Sequence, residues 1–199
     1  MPTLAIVILA AGQGTRMRSR RSKLLHELAG RPLIAYPLRL AQALQPAHLV
    51  LVLGHLAQEV QEALGPDFTY VIQEPQLGTG HAVQQAQSLL QGRCDELLVL
   101  YGDTPLLRLE TIQEMRKRHE QEQATVTLLS GIVARPQGYG RVVRDSAGCV
   151  RAVVEEADCT PEQRTIAEVS SGIFLFQACL LYTSDAADDL LCVDLGGRR

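Results

Sequence analysis

The segment TLAIVILAAGQGTRM (residues 3–17) carries the strongest structural instruction in the chain. Leu4 to Leu9 are uniformly apolar and centre on the β-branched Ile6, Val7 and Ile8. A short run that is apolar on both faces is what a strand buried inside a parallel sheet requires. It breaks abruptly at Ala10-Ala11-Gly12-Gln13-Gly14-Thr15-Arg16. Glycines let backbone N–H groups come close to an anion, and an arginine adds full positive charge. The segment therefore predicts a strand feeding an anion-binding loop, with phosphate the expected anion.

Similar apolar runs recur at 48–54, 69–73 and 96–102, each bounded by glycine, proline or charge. Helical spacing fills 32–44, 56–64 and 79–91, and a further helix is predicted over 109–122. Alternating strands and helices imply right-handed βαβ units and a sheet covered on both faces. After residue 124 the texture changes. ATVTLLSGIV (124–133) and SSGIFLFQA (170–178) read as strands, and 141–156 as a hairpin around Ser146-Ala147-Gly148. A parallel nucleotide-binding half thus leads into a more antiparallel half. Residues 181–199 fit neither pattern and read as a tail foreign to the domain.

At 199 residues the chain can bury one sizeable core. A net charge of -3 offers no support for nucleic-acid or membrane-surface binding. Five scattered cysteines without a C-x-x-C pair argue against a disulfide framework or structural zinc, and fit a reducing cytoplasm. No apolar run is long enough to span a membrane, and no basic leader marks a signal peptide. Arg16, Arg18, Arg20, Arg21 and Lys23 crowd beside the glycine turn, either as a solvated loop or as a phosphate-binding cluster.

The glycine turn fits neither standard nucleotide fingerprint. Met17 stands where G-x-G-x-x-G needs its third glycine, and no Gly-Lys-Ser/Thr completes a Walker A loop. Asp103 ends the strand of LVLYGDTPL (98–106), where it either caps a turn or holds a metal. His26, His48, His55, His81 and His119 show no metal-ligand spacing and read as structural or solvated. Ser170-Ser171 lacks the G-x-S-x-G context of a hydrolase nucleophile.

LAAGQGTRM followed by Lys23 resembles the signature of the sugar-nucleotide pyrophosphorylases. QLGTGHA (76–82), LVLYGDTPL (98–106), GYGR (138–141) and VVEEAD (153–158) follow in the order of one branch. That branch is the N-terminal uridylyltransferase domain of the bifunctional enzymes that make UDP-N-acetylglucosamine from UTP and N-acetylglucosamine 1-phosphate. The likeness spans roughly residues 3 to 178. Ser22 departs from it by replacing the usual proline before the lysine, and Ser170 stands where asparagine is common.

The resemblance implies a Rossmann-like α/β nucleotide-diphospho-sugar transferase fold of the GT-A-like type, mostly parallel, with helices on both faces. Residues 1–180 would be the N-terminal part of the nucleotidyltransferase domain, incomplete at its C-terminus. The left-handed β-helix acetyltransferase domain would be absent. A chain ending there is expected to show little turnover by itself. Leu9, Ala10, Ala11 and Gly12 would hold the nucleotide through their backbone, and Gln73, Gly78 and Thr79 the uracil. A carboxamide suits the mixed donor and acceptor edge of that base. Tyr101, Gly102 and Asp103 would lie across the nucleotide sugar and the metal, with Asp103 the ligand of Mg²⁺. Arg16 and Lys23 would be the catalytic cations on the triphosphate. Gly140, Glu155 and Ser170 would hold the amino sugar. The resemblance further implies a cytoplasmic, Mg²⁺-dependent enzyme of peptidoglycan precursor synthesis, homotrimeric at full length through the absent domain. Two alternatives stand beside it: a pyrophosphorylase for another sugar or base, and a nucleotide-sugar-binding fragment without turnover.

Overall fold

A computed structural model describes residues 2–14, 17 and 19–179. In chain order, β1 (Leu4–Ala10) leads through the glycine turn to a small hairpin, β2 (Glu27–Leu28) and β3 (Arg31–Pro32). Next come α1 (Ala35–Ala43), β4 (His48–Leu53), α2 (Ala57–Leu64) and β5 (Thr69–Ile72). They are followed by α3 (Thr79–Gln84), α4 (Gln87–Leu90), β6 (Glu96–Tyr101) and α5 (Leu109–Gln121). Beyond these lie β7 (Val126–Ile132), β8 (Arg141–Arg144), β9 (Val150–Val154) and β10 (Glu168–Gln177).

Every residue of β1 is buried. It is hydrogen-bonded in parallel to β4 on one side and β6 on the other, and β5 extends the parallel set beyond β4. Side chains alternate across a strand, so β1 serves two cores. Leu4, Ile6, Ile8 and Ala10 pack with α1 and α5 residues such as Leu38, Ala41, Ile112 and Met115. Ala5, Val7 and Leu9 face Ala82, Val83, Ala86 and Leu90 of the α3–α4 region. That is the sheet covered on both faces, in the Rossmann-like arrangement expected.

The second half does not simply extend the sheet. β10 runs antiparallel against β6, inside the main sheet, and places β7 on its far side. Its first residues instead meet β8, which pairs with β9. The sheet order is β5-β4-β1-β6-β10-β8-β9, with β7 also on β10. The apolar alternation of GIFLFQ explains this position. Ile173 and Leu175 enter one core, while Phe174 and Phe176 enter the other with their rings stacked at 5.6 Å.

Two helices differ from their predicted bounds by more than one residue. The first starts at Ala35 because Arg31 and Pro32 pair with Glu27 and Leu28 across an Ala29-Gly30 turn. The stretch 79–91 divides into α3 and α4 at Gln85-Ala86, where Gln85 Nε2 donates back to the His81 carbonyl at 3.1 Å. Residues 181–199, read as a foreign tail, lie outside the described residues. Among the described residues no helix is long and apolar enough to cross a membrane.

His119 is buried on the inner side of α5, with Nδ1 2.7 Å from Thr127 Oγ1 and no partner for Nε2. Burial holds its pKa below the ordinary value, opposed by the Glu96 carboxylate and assisted by the Arg116 guanidinium. Unfolding releases the ring to a higher pKa, so the unfolded chain binds the extra proton more readily. The stability carried by neutral His119 is complete above its unfolded value and drains away as pH falls below it. Urea unfolding at pH 7.5 and 5.5 should show this loss, and His119→Gln should reduce the difference between the two midpoints. An unchanged difference would place the pH dependence elsewhere.

Candidate functional site

Open α/β sheets bind ligands beyond the carboxyl ends of their parallel strands. Here β1, β4 and β6 all end on that edge, delivering Ala11-Gly12, Gly54 and Gly102-Asp103 to one place. The strand ends are tied together: Gly102 N–H donates to the Leu9 carbonyl at 2.9 Å, and Gln73 N–H to the Leu53 carbonyl at 2.7 Å. Leu9, Ala10 and Ala11 are buried, while Gly12 is exposed at the mouth.

Lys23 reaches this edge from a short 3₁₀ turn, Lys23–Leu25. Its Nζ donates to Asp103 Oδ2 at 2.7 Å. The stem passes against Gly14, whose φ is +61° and whose added Cβ would stand 2.9 Å from Lys23 Cβ. A side chain at position 14 would therefore meet both a strained backbone and the lysine. Ser22 keeps a proline-like φ of -53°, and its N–H donates to Glu59 Oε2 of α2 at 3.0 Å. Proline has no such donor. Serine gives up the fixed φ of proline but gains a tether to α2. Arg16 lies outside the described residues.

Gln73 is almost fully buried. Its Nε2 donates to the Gly78 carbonyl at 2.8 Å and lies 3.2 Å from His81 Nδ1. This glutamine shapes the Gly78-Thr79 turn, and His81 supports it from α3. Gln76 bridges the turn to the glycine loop, with Nε2 donating to the Ala11 carbonyl at 2.7 Å. Gln76 is a support that its motif does not announce, whereas His81 is structural, as its lack of metal-ligand spacing implies. The quoted motif QLGTGHA contains both, but its spacing gives no hint of a partner 65 residues away.

A cleft of about 470 Å³ gathers Gly78, Thr79, Tyr101, Gly140, Glu155 and Ser170. Tyr101 forms its floor. Burial and the Glu155 carboxylate push the phenol up to about 12, a Thr79 hydrogen bond pulls the other way, and Asp103 adds to the rise. At neutral pH it is a hydroxyl, able to donate. Glu155 stands close to Gly140, where an added Cβ would lie 3.3 Å from Oε1. Ser170 N–H donates to the Gly140 carbonyl at 2.8 Å, and Ser170 Oγ accepts from Gly172 N–H at 3.0 Å. Arg141 locks this wall: its buried guanidinium holds Glu156 Oε2 at 2.6 Å and donates to the Tyr139 carbonyl. That pairing is the main cause of the lowered Glu156 pKa.

Whether these groups suit a metal follows from their chemistry. Among the described residues no three His, Cys, Asp or Glu side chains gather as a ready-made cage. Asp103 offers a partly exposed carboxylate on the sheet edge. Mg²⁺ commonly accepts one or two carboxylates with phosphate oxygens and water completing its shell. Asp103 fits a cation shared with a phosphate ligand.

The family model of the MobA-like NTP transferase domain matches residues 6–173. Bifunctional protein GlmU of Trichlorobacter lovleyi is 47% identical over 179 residues, covering 89% of this chain and 39% of that protein. The Paraburkholderia xenovorans protein of the same name is 52% identical over 171 residues, covering 85% and 37%. The chain thus spans well under half the length of these relatives. Among solved structures, a Bacillus anthracis protein described as a glucose-1-phosphate thymidylyltransferase superposes with a TM-score of 0.78 at 18% identity. It covers 97% of this chain and 81% of its own. UDP-glucose pyrophosphorylase complexed with UDP-glucose gives 0.74 at 17% identity, covering 92% and 78%. At such low identity these two speak for the fold alone.

Gly172 is the tightest point of the cleft floor. It sits at φ +75° in a bulge of β10 against β7, and an added Cβ would lie 2.4 Å from Tyr101 Cε2. Gly172→Ala should therefore cost about 1–3 kcal/mol of stability through overpacking and backbone strain. Thermal unfolding beside the unaltered protein checks this, and an unshifted midpoint would show that the Tyr101 ring yields freely.

Proposed function

Because the chain belongs to the MobA-like NTP transferase domain family, we propose that it is the nucleotidyltransferase part of an enzyme making UDP-N-acetylglucosamine. Its substrates are UTP and N-acetylglucosamine 1-phosphate, and pyrophosphate is the second product. The observation that carries this reading is the single cleft that joins the Gly78-Thr79 turn to Gly140, Glu155 and Ser170 across Tyr101. The identity to proteins named GlmU supports the choice of sugar and base.

In this reading the uracil rests on the turn that Gln73 shapes, and the amino sugar lies against Gly140, Glu155 and Ser170. The glycine loop, Lys23 and Arg16 take the triphosphate. A phosphate oxygen of the sugar 1-phosphate attacks the α-phosphorus of UTP. The bond from that phosphorus to the bridging oxygen breaks in line, and its electrons leave with pyrophosphate. Holding two polyanions together is the main task, so positioning and charge neutralisation dominate. Bound Mg²⁺, held by Asp103, supplies further neutralisation of the phosphates. No protein nucleophile takes part. A reducing cytoplasm is the compartment that suits five scattered cysteines without a C-x-x-C pair.

Pyrophosphate release and equilibrium binding, each measured over a panel of bases and sugars, test the reading. UTP and UDP-N-acetylglucosamine should be preferred over their adenosine and cytidine counterparts. Equal binding of uridine and adenosine nucleotides would overturn the assignment. Gln73→Ala should narrow the preference, since a wrong base leaves buried groups unsatisfied at about 1–3 kcal/mol each.

In an otherwise complete version of the domain, Asp103→Asn should abolish Mg²⁺-dependent turnover with an unchanged circular dichroism spectrum, and near-normal rates at saturating Mg²⁺ would refute the metal role. Arg16→Ala and Lys23→Ala should each lower the rate by roughly 10² to 10³, the usual scale for losing one preorganised charge. Changes below about threefold in both would reduce the basic cluster to a solvated loop.

A further inference from the structure

Lys23 and Asp103 are asked to do separate work in the proposed reaction, one on phosphate and the other on metal. In the structure they touch. Nζ donates to Oδ2 at 2.7 Å, with the two side chains 23% and 37% exposed. The contact is guided on the lysine side, because the stem crosses Gly14 and Nζ passes 3.4 Å from where a Cβ of Gly12 would stand. The ammonium is thus steered onto this carboxylate.

A divalent cation bound to the same carboxylate would sit about 2.0–2.1 Å from its oxygen. An ammonium at hydrogen-bond distance would then lie within a few ångströms of a doubly charged ion, with little water between. The carboxylate has lone pairs for both, but the two positive charges repel across it, so each weakens the other's hold. Asp103 also lacks a ready-made set of companions, since no third candidate ligand gathers around it among the described residues. By itself it is a weak metal site that already has a positive occupant. A triphosphate changes the balance, because it offers the lysine more negative charge than one carboxylate does. A four-carbon stem ending in a compact charge can make that move.

We propose that Lys23 is a placeholder cation at Asp103. It keeps divalent metal off the carboxylate until a polyphosphate draws the ammonium away, so metal and nucleotide are taken up together. The inference rests on the nucleotidyltransferase reading of this site and adds an order of events to it. Its chemical content is an exchange of ionic partners: the Lys23–Asp103 pair opens, and Lys23–phosphate and Asp103–metal pairs form. No covalent bond changes.

The test uses Mn²⁺ as the probe and the free-ion electron paramagnetic resonance signal as the readout, with the chain of residues 1–199. The unaltered protein should bind Mn²⁺ alone weakly and gain affinity when UTP is added. Lys23→Met keeps the stem and removes the charge. It should bind Mn²⁺ alone about tenfold more tightly, the scale of releasing one partly sheltered ion pair and its repulsion, and should gain less from UTP. Adding Asp103→Asn to Lys23→Met should abolish that extra affinity. Lys23→Gln serves as the second variant, with circular dichroism reporting which of them is folded. Equal Mn²⁺ affinity in the unaltered protein and a folded Lys23 variant overturns the placeholder, even with Mn²⁺-dependent UTP binding intact. Absence of any Mn²⁺-dependent UTP binding by the unaltered protein is a different failure. It defeats the nucleotide reading and takes the exchange with it.

Discussion

The site depends on β1 being hydrogen-bonded on both edges and buried on both faces. A strand in that position has no freedom at its end, because its neighbours β4 and β6 fix it in register from Ala5–His48 to Leu9–Tyr101. Whatever follows β1 is therefore delivered to a set point beside Gly102 and Asp103. The cost is that the chain must turn away at once, in a space already crowded by the next strand ends. Ala10, Ala11, Gly12 and Gly14 meet that demand, and the same smallness lets a backbone approach an anion. Burial of the strand and openness of the loop are two consequences of one constraint.

Much of this was legible because the parallel half is governed by local patterning. The apolar runs beginning at Leu4, His48, Thr69 and Glu96 became strands, and the intervening helical spacing became helices. The place of β10 was not legible. Its alternation shows a strand with two buried faces, but strand order is decided by partners far away in sequence, here Val99 for Phe174. The break between α3 and α4 is not legible either, since neither glycine nor proline stands at Gln85-Ala86 where it falls. At the site, the motifs brought forward Gln73, Tyr101, Asp103 and Glu155 by likeness. The supports Gln76 and Arg141 have no signal in the sequence, because a hydrogen bond to a distant carbonyl or an ion pair formed across strands leaves no periodic trace. Gly172 did leave one: a glycine inside an apolar strand is a signal of a bulge or a close approach.

Charge in the cleft is organised by pairing. Arg141 is committed to Glu156 and to the loop carbonyl at Tyr139, which holds the wall beside Glu155 in place. Farther from the cleft, Arg144 binds Glu168 at 2.7 Å and holds that carboxyl down at about 2, with Ser130 assisting. The Arg144–Glu168 pair ties β8 to the first residue of β10, while the buried Arg141 ties β8 to the loops on either side of the cleft wall.

β10 is ten residues long, yet its two ends serve different masters. From Ile173 to Phe176 it is core; at Ser170 it is cleft wall, and the bulge at Ser171-Gly172 is the joint between them. Across the bulge, the β7 partners of Ser170 and Phe174 are Ser130 and Leu128, two residues apart, so wall and core lie only about 7 Å from each other along the sheet. A change in how Phe174 packs would reach the cleft as a shift of its wall, with no side chain in between needing to move. Position 170 can be varied by side chain, but its backbone is inherited from the core. The shape of the cleft and the stability of the fold are written on the same strand and must be edited together.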